Sequence, residues 1–518
     1  MNFKISQFIK IIIISLAATT IVGCATDNYS KNNSDVFTVV ASGKYAEAIS
    51  LYSEKNKSII GSDPDLLNNF ELGELHRLNG NVKESTAIWN KADEKIEAWE
   101  NESKLNAKNV AGNIGSFLMN DSKRTYDGKD FEKTIISTRL ALNYIAEKDF
   151  QSARVKIVNV AEREELIATL REKAFIDAEE EAKTKGATTK FDPKDIKGYP
   201  FEIFDDPAVK KLRNGYQNAF AWYLTGFIHE ALREPSLATP AYQKALQINP
   251  DVQLFKTSLN ATGKITPGGV TAMPAPVAAV VTAQQSKNSK VVTSKSTART
   301  VNGKLPLSKN SVNTQANIKI QNTVTETQAV QMSAKNEPST VQSGTTDTLI
   351  IVETGWMEKM ASMNITTAFS LRGKARVATY SYPIMRDDNK ILRPPSSMKI
   401  DTRTISLSEV GNYDALAKRS LQDDLPFIYA RGVVRAIVKV GVQELAEHSP
   451  LGELGSFAVG LAGAAIEVAD TRQWQFLPAR ISVARVPLSS GNHVITIGNK
   501  SFPISVSGSH DAVLLRVF

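Results

Sequence analysis

Few residues in this sequence are placed to do chemistry. Its 518 residues contain five histidines (His76, His229, His448, His493, His510) and a single cysteine, Cys24. Gly508-Ser509-His510-Asp511 sets three hydrolase residue types side by side. A Ser-His-Asp triad needs those groups to converge from separate elements beside an oxyanion hole, so adjacency predicts a turn instead. The carboxylate pairs Asp205-Asp206 and Asp423-Asp424 have no companion motif for acid–base work. Asp206-Pro207 reads as a helix start, an N-cap followed by first-turn proline. No two histidines lie close in sequence and one cysteine cannot build a thiolate site, so neither a metal nor a cofactor is expected. No phosphate-cradling loop appears. The sequence carries no enzyme signature, and its positive signals concern binding.

Cys24 is the exception. Lys4 and Lys10 precede the apolar run Ile11–Val22, then Gly23 and Cys24, the layout of a secretory signal. At 1.5 Å per residue a run of about 12 is too short to span a bilayer. Ile21-Val22-Gly23-Cys24 resembles the bacterial lipobox, which implies cleavage before Cys24 and its acylation, palmitate included. Residues 1–23 are thus expected as a signal peptide and 24–34 as a polar tether. Several acyl chains at roughly 0.8 kcal/mol per buried CH2 make a stable membrane anchor. Ala25, where an aspartate would imply inner-membrane retention, predicts outer-membrane sorting with the chain facing the periplasm.

The 62 basic and 54 acidic residues leave a net charge of +8. Residues 256–346 hold ten basic groups and two acidic ones, so this stretch carries the whole excess. The remainder is near neutral, which argues against a nucleic-acid footprint. Residues 256–355 also lack Phe, Trp and Tyr. Too little surface can be buried there to offset chain entropy, so 256–346 reads as a basic disordered linker. It either binds anionic wall polymer or serves as a soluble spacer.

Between residues 35 and 255 the periodicity is helical and repeats itself. Trp222, Gly226, Ala238, Tyr242, Ala245 and Pro250 have the spacing of a tetratricopeptide repeat (TPR), with Arg233 where the turn glycine is usual. Leu72-Gly73, His76, Gly80, Trp89 and Ala92 fit the same frame, as do Leu140, Ala141, Tyr144, Asp149, Phe150 and Ala153. Gly43, Tyr45, Ala48 and Tyr52 read as the turn and second helix of an incomplete unit. His76 and His229 share one repeat position and are expected in the helix-pair core. Phe220, Tyr223 and Phe227 share a face of their helix, the face that lines the groove in TPR solenoids. Glu74 and Arg77 fall at comparable groove positions. These five are the candidate partner-binding residues, unless another part of the same chain covers them.

From residue 347 to 518 the pattern is α+β and resembles a β-sandwich. Leu349–Glu353, Ala375–Tyr382, Met398–Asp401 and Thr404–Ser408 read as strands. Asn412 caps a helix from Tyr413, Pro426 opens another, and Leu451–Ala469 reads as a buried helix. A closing meander turns at Ser490-Gly491-Asn492 and Gly498-Asn499.

Tyr126-Asp127-Gly128-Lys129-Asp130-Phe131, Ala141-Leu142-Asn143-Tyr144, Tyr216-Gln217-Asn218, Ala469-Asp470-Thr471-Arg472-Gln473-Trp474 and Leu477-Pro478-Ala479 resemble a bacterial family of TPR-bearing envelope lipoproteins. That resemblance implies location and architecture, and a setting beside lipoprotein activators of cell-wall synthases, but no reaction. The expectation is an outer-membrane lipoprotein acting as a protein–protein scaffold in the envelope. The alternatives are a wall or glycan hydrolase with its site after residue 346, and a surface adhesin or secretion accessory.

Overall fold

Helix pairs come first along the chain. A computed structural model describes residues 32–56, 65–105, 126–184, 191–262, 344–371, 374–389, 392–447 and 468–518. The signal segment, Cys24, nearly all of the basic linker, His448 and most of Leu451–Ala469 lie outside these residues. Helices α1 (Ser34–Ala41) and α2 (Tyr45–Lys55) form one hairpin, and α3 (Leu66–Leu78) and α4 (Val82–Leu105) the next. They are followed by α5 (Asp130–Ala146) with α6 (Phe150–Thr184), the short α7 (Pro207–Lys210), and α8 (Ala219–Ala231) with α9 (Pro235–Ile248). The incomplete first unit therefore has its own first helix.

The hairpins are built alike. Val36, Gly73, Ala141 and Gly226 are matched, at one constant separation, by Tyr52, Trp89, Ile157 and Tyr242 on the second helix. A Cβ on Gly73 would lie 2.1 Å from the Trp89 ring nitrogen, and one on Gly226 2.4 Å from Tyr242. Only glycine lets those helices approach this closely. At one further offset each turn passes through a left-handed residue: Gly43, Gly80, Lys148 and Arg233, with φ of 78°, 79°, 64° and 60°. Arg233 thus adopts the glycine conformation without being glycine. Helix starts are capped as their residue types dictate: Asp65 accepts from the Asn68 N–H (2.9 Å), Asp206 from Ala208 (2.8 Å) and Asn218 from Phe220 (3.0 Å).

A further helix, α10 (Gln253–Thr262), enters the stretch expected as linker. Its Phe255 is buried against Tyr223, ring centroids 5.1 Å apart, which gives those residues apolar surface to hide.

Among the described residues the second region has three sheets. In the first, β1 (Thr345–Thr354) pairs in parallel with β10 (His510–Val517) and antiparallel with β7 (Arg480–Ser489), which pairs with β6 (Ser408–Asn412). The second has the order β5 (Arg403–Ser406), β4 (Ser397–Ile400), β8 (Gly491–Ile497), β9 (Lys500–Val506). Strands β2 (Met360–Leu371) and β3 (Lys374–Met385) form a hairpin. The closing strands are not a simple meander, because β7 and β10 join one sheet and the β8–β9 hairpin the other. Strand β2 was not anticipated. Pro426 does not open a helix; it lies inside α11 (Tyr413–Glu447). Burial of Leu421, Leu425, Ile428, Tyr429 and Val433 offsets the roughly 3 kcal/mol that an interior proline costs.

Strand β1 is covered on both faces, which explains its unbroken apolar run. Ile350 and Val352 cluster with Ala484, Val486, Met398, Ile400, Ile495 and Val506 of the two four-stranded sheets. Leu349 and Ile351 belong instead to a cluster that includes Phe70, Trp89, Leu140, Tyr223 and Phe227 of the helices. The two regions expected as separate domains therefore share a core and form one unit.

Candidate functional site

The groove residues singled out in the sequence fall in two contact networks, the aromatics in one and Glu74 with Arg77 in another, and none of them is free for a partner. Phe220, Tyr223 and Phe227 are fully buried. Tyr223 packs against Tyr242 and Phe255, and its hydroxyl meets Ser258 Oγ at 3.2 Å. Phe227 carries the Arg485 guanidinium 5.3 Å above its ring and the edge of His510 at 5.7 Å. Of the two readings, an open stripe and one covered by the same chain, the burial of all three rings matches the second. Strands β7 and β10 set Arg485 and His510 over Phe227, while Tyr242 of α9 and Phe255 of α10 lie against Tyr223.

Glu74 and Arg77 are equally enclosed. Arg139 Nε donates to Glu74 Oε2 (3.1 Å), and its other nitrogens donate to Glu74 Oε1 and to Glu353 Oε1 of β1. Arg77 Nη1 lies 3.6 Å from both Glu74 Oε1 and Glu353 Oε2, and Arg516 Nη1 of β10 lies 3.4 Å from Glu353 Oε2. Burial works against the Glu353 charge, but Arg139, Arg77 and Arg516 outweigh it and hold the carboxyl at about 2. Burial, with Arg139 adding repulsion, lowers Arg77 to about 10. A second network joins the regions nearby: Arg485 donates to Asp347 (3.0 Å), to the Tyr242 hydroxyl (3.1 Å) and pairs with Glu230 (2.5 Å). A charged strand face is docked on the helices, so these residues orient a partner that belongs to the same chain.

Reading the sequence alone gave no binding role to the segment just before β7. Residues 468–479 contain neither helix nor strand. Three successive backbone N–H groups there meet two buried carboxylates of the helices. Trp474 donates to Glu132 Oε1 (2.6 Å), Gln475 to Glu71 Oε1 (2.7 Å) and Phe476 to Glu71 Oε2 (3.0 Å). The Trp474 ring stacks on Phe70 at 4.5 Å with an edge contact to Trp89 at 5.7 Å. Phe476 packs against Phe37 at 4.5 Å, Trp356 at 5.7 Å and Tyr52 at 6.2 Å. Glu132 also accepts from the Tyr126 hydroxyl (2.5 Å) and the Lys129 N–H (2.8 Å). Burial raises its carboxyl, and these donors work against the rise. The available signal was the pair of aromatics inside a stretch with no periodicity.

The four described histidines serve separate local contacts. Asp511 accepts from the Ser507 and Ala512 N–H groups (3.1 and 2.8 Å) and pairs with Lys148, so the Gly508–Asp511 stretch is a turn entering β10. His493 borders an open depression of about 470 Å³ lined also by Asp401, Asn492 and Ser505. Its Nδ1 contacts Asp401 at 2.7 Å, while Nε2 faces the Ser489 carbonyl at 2.8 Å and the Ser489 hydroxyl at only 3.4 Å. The bond to Asp401 raises the imidazole. With Nδ1 on Asp401 and Nε2 on the Ser489 carbonyl, the ring ties two turns together. His229 is a core residue bonded to Glu234 at 2.7 Å, and burial lowers its pKa. His76, half-buried in the second hairpin, is likewise lowered by burial. Among the described residues no three His, Cys, Asp or Glu side chains are grouped to hold a metal ion. Among them, too, no helix is long and apolar enough to cross a membrane.

No family model matches the chain, and no curated protein matches it either. Solved structures similar to it include the TPR2AB domain of yeast Sti1 in a pHSP90 complex, at 11% identity and a TM-score of 0.18, covering 45% of this chain and 82% of that one. A tetratricopeptide repeat protein from Parabacteroides merdae matches at 13% identity and a TM-score of 0.13, covering 46% and 99%. The C-terminal part of a TPR repeat-containing protein from Cytophaga hutchinsonii matches at 15% and 0.13, covering 50% and 95%. Likeness at this level adds nothing to the helix-pair geometry described above.

Proposed function

We propose that this chain is a lipid-anchored envelope scaffold, tethered through Cys24 to the outer membrane and facing the periplasm, and that it binds other proteins. The observation that carries the reading is the helical array itself. Four hairpins of TPR-like construction follow one another, and the first three contribute residues that hold an irregular peptide segment through its backbone N–H groups and rings. Such a surface is built for polypeptide, and it offers no nucleophile–base pair for a reaction. The lipobox-like Ile21–Cys24 supports the anchor, and the resemblance to envelope lipoproteins supports a setting in cell-wall assembly. The basic stretch 256–346 would add contact with anionic wall polymer.

The test uses the tagged full-length chain in a Gram-negative host. Wild type should take up labelled palmitate and fractionate with outer membranes, whereas Cys24→Ser should remain an unacylated precursor. In-cell crosslinking should then retrieve a defined envelope protein with the wild type and not with Cys24→Ser. Recovery of wild type as a soluble, unlabelled protein would end the lipoprotein reading. Retention of the full chain on peptidoglycan at about 50 mM salt should vanish by about 500 mM, as screening of exposed charges requires. Retention that ignores salt would exclude the electrostatic role of the basic stretch.

A further inference from the structure

The best-formed peptide contact on the helices is the one the chain makes with itself. We propose that Trp474-Gln475-Phe476 is an internal occupant of the groove, and that a partner protein presenting an aromatic–polar–aromatic loop takes its place. This rests on the scaffold reading above and names the partner chemistry for the same surface.

Recognition of the segment is transferable because it is mostly main-chain. Glu71 and Glu132 take three consecutive N–H groups, which any loop without proline supplies. Selectivity comes from two ring slots, one formed by Phe70 and Trp89 and the other by Phe37 and Tyr52. The residue between the slots contributes its N–H to Glu71, so a polar residue there suffices. The segment can leave without dismantling a sheet, since it is part of no strand. Its other ties include the Phe476 carbonyl accepting from Arg516 (3.1 Å) and the Gln473 side chain donating to the Glu358 carbonyl (3.1 Å). At the ends are Ala469 N–H to Ser362 Oγ (2.8 Å), Met357 N–H to the Leu477 carbonyl (3.1 Å) and Ala479 N–H to the Thr354 carbonyl (3.1 Å). None of these is a ladder bond within a sheet. The occupant also fits imperfectly. The indole N–H of Trp474 is buried with no acceptor, and so is the Asn68 side-chain amide nitrogen. Buried donors left unmade weaken a complex, so a competitor that satisfies its polar groups has an advantage over the resident.

Hydrogen exchange on the intact wild-type chain tests this, with and without a synthetic peptide of the Ala469–Ala479 sequence. A control peptide carries alanine at both ring positions. The amides of 474–476 should exchange at least tenfold faster than those of helix Asp130–Ala146, which marks local opening. Excess peptide should speed them at least threefold more, the control peptide should not, and Glu71→Gln should reduce the effect. If 474–476 exchange only as slowly as the helix, or if both peptides act alike, the segment is fixed core and the proposal is overturned. Failure to crosslink any envelope protein, with the peptide effect intact, would defeat the scaffold reading and not this one. Capture of a partner with unchanged exchange at 474–476 would defeat this proposal alone.

Discussion

Replacing Glu353 by glutamine should destabilise the chain by about 3–5 kcal/mol, the usual cost of breaking a buried ion pair from one side. The structure explains the size. Glu353 is fully buried and faces Arg139, Arg77 and Arg516, while Glu74 is the other carboxylate of the network. Three guanidinium groups against two carboxylates already leave one excess positive charge, and the substitution leaves two. Arg516 would then keep the Gly355 and Phe476 carbonyl oxygens and the faces of Trp356 and Phe518, but no carboxylate. A carboxyl held at about 2 in the folded chain against 4.5 gives an independent figure. That depression corresponds to roughly 3 kcal/mol, present above pH 4.5 and lost as pH falls towards 2. Urea unfolding at pH 7 measures the first number and its repetition between pH 5 and 2.5 the second. Wild type should lose stability across that range more steeply than Glu353→Gln, and salt should change the pH 7 difference little because the pair is buried. A loss below about 1 kcal/mol at pH 7, or parallel acid limbs for the two proteins, would show that the network does not hold the sheet to the helices.

Burial lifts the Glu164 carboxyl to about 7, although it accepts from the Trp222 indole at 2.9 Å. The folded chain therefore binds a proton that the unfolded chain releases, and stability should fall as pH rises from about 4.5 to 7, by up to about 3 kcal/mol. Glu164→Gln should flatten that slope and melt higher than wild type at pH 8, as thermal scans at pH 5 and 8 would record. Arg233 sits at φ 60° in the turn of the last hairpin, a conformation that costs a non-glycine residue about 1 kcal/mol or more. Arg233→Gly should gain about 0.5 kcal/mol after the entropy of glycine is counted, and Arg233→Val should lose stability in the same denaturant titration.

Local rules made the helical half legible. Gly73 with Trp89 and Gly226 with Tyr242 are short-range pairs whose spacing alone dictates a close helix crossing, and the caps at Asp206 and Asn412 are equally local. Arg233 was readable as a departure from the glycine turn, yet the turn persists because helix pairing over-determines it. What the sequence could not convey is which distant segments cover the groove. Arg139 and Glu353, or Glu71 and Phe476, meet across hundreds of residues, and no periodicity encodes such an encounter. The buried charges were nonetheless a clue of a different kind. Carboxylates and guanidinium groups on the inner face of a helix pair are costly unless matched. Glu71, Glu74, Arg77 and Arg139 on one such face therefore require a charged or hydrogen-bonding partner from somewhere. That requirement can be stated from the helices alone, and it distinguishes a groove that must be filled from one that solvent can occupy. The chain fills it with its own strand and loop, so any outside protein has to offer a better match than Trp474 and Phe476 already provide.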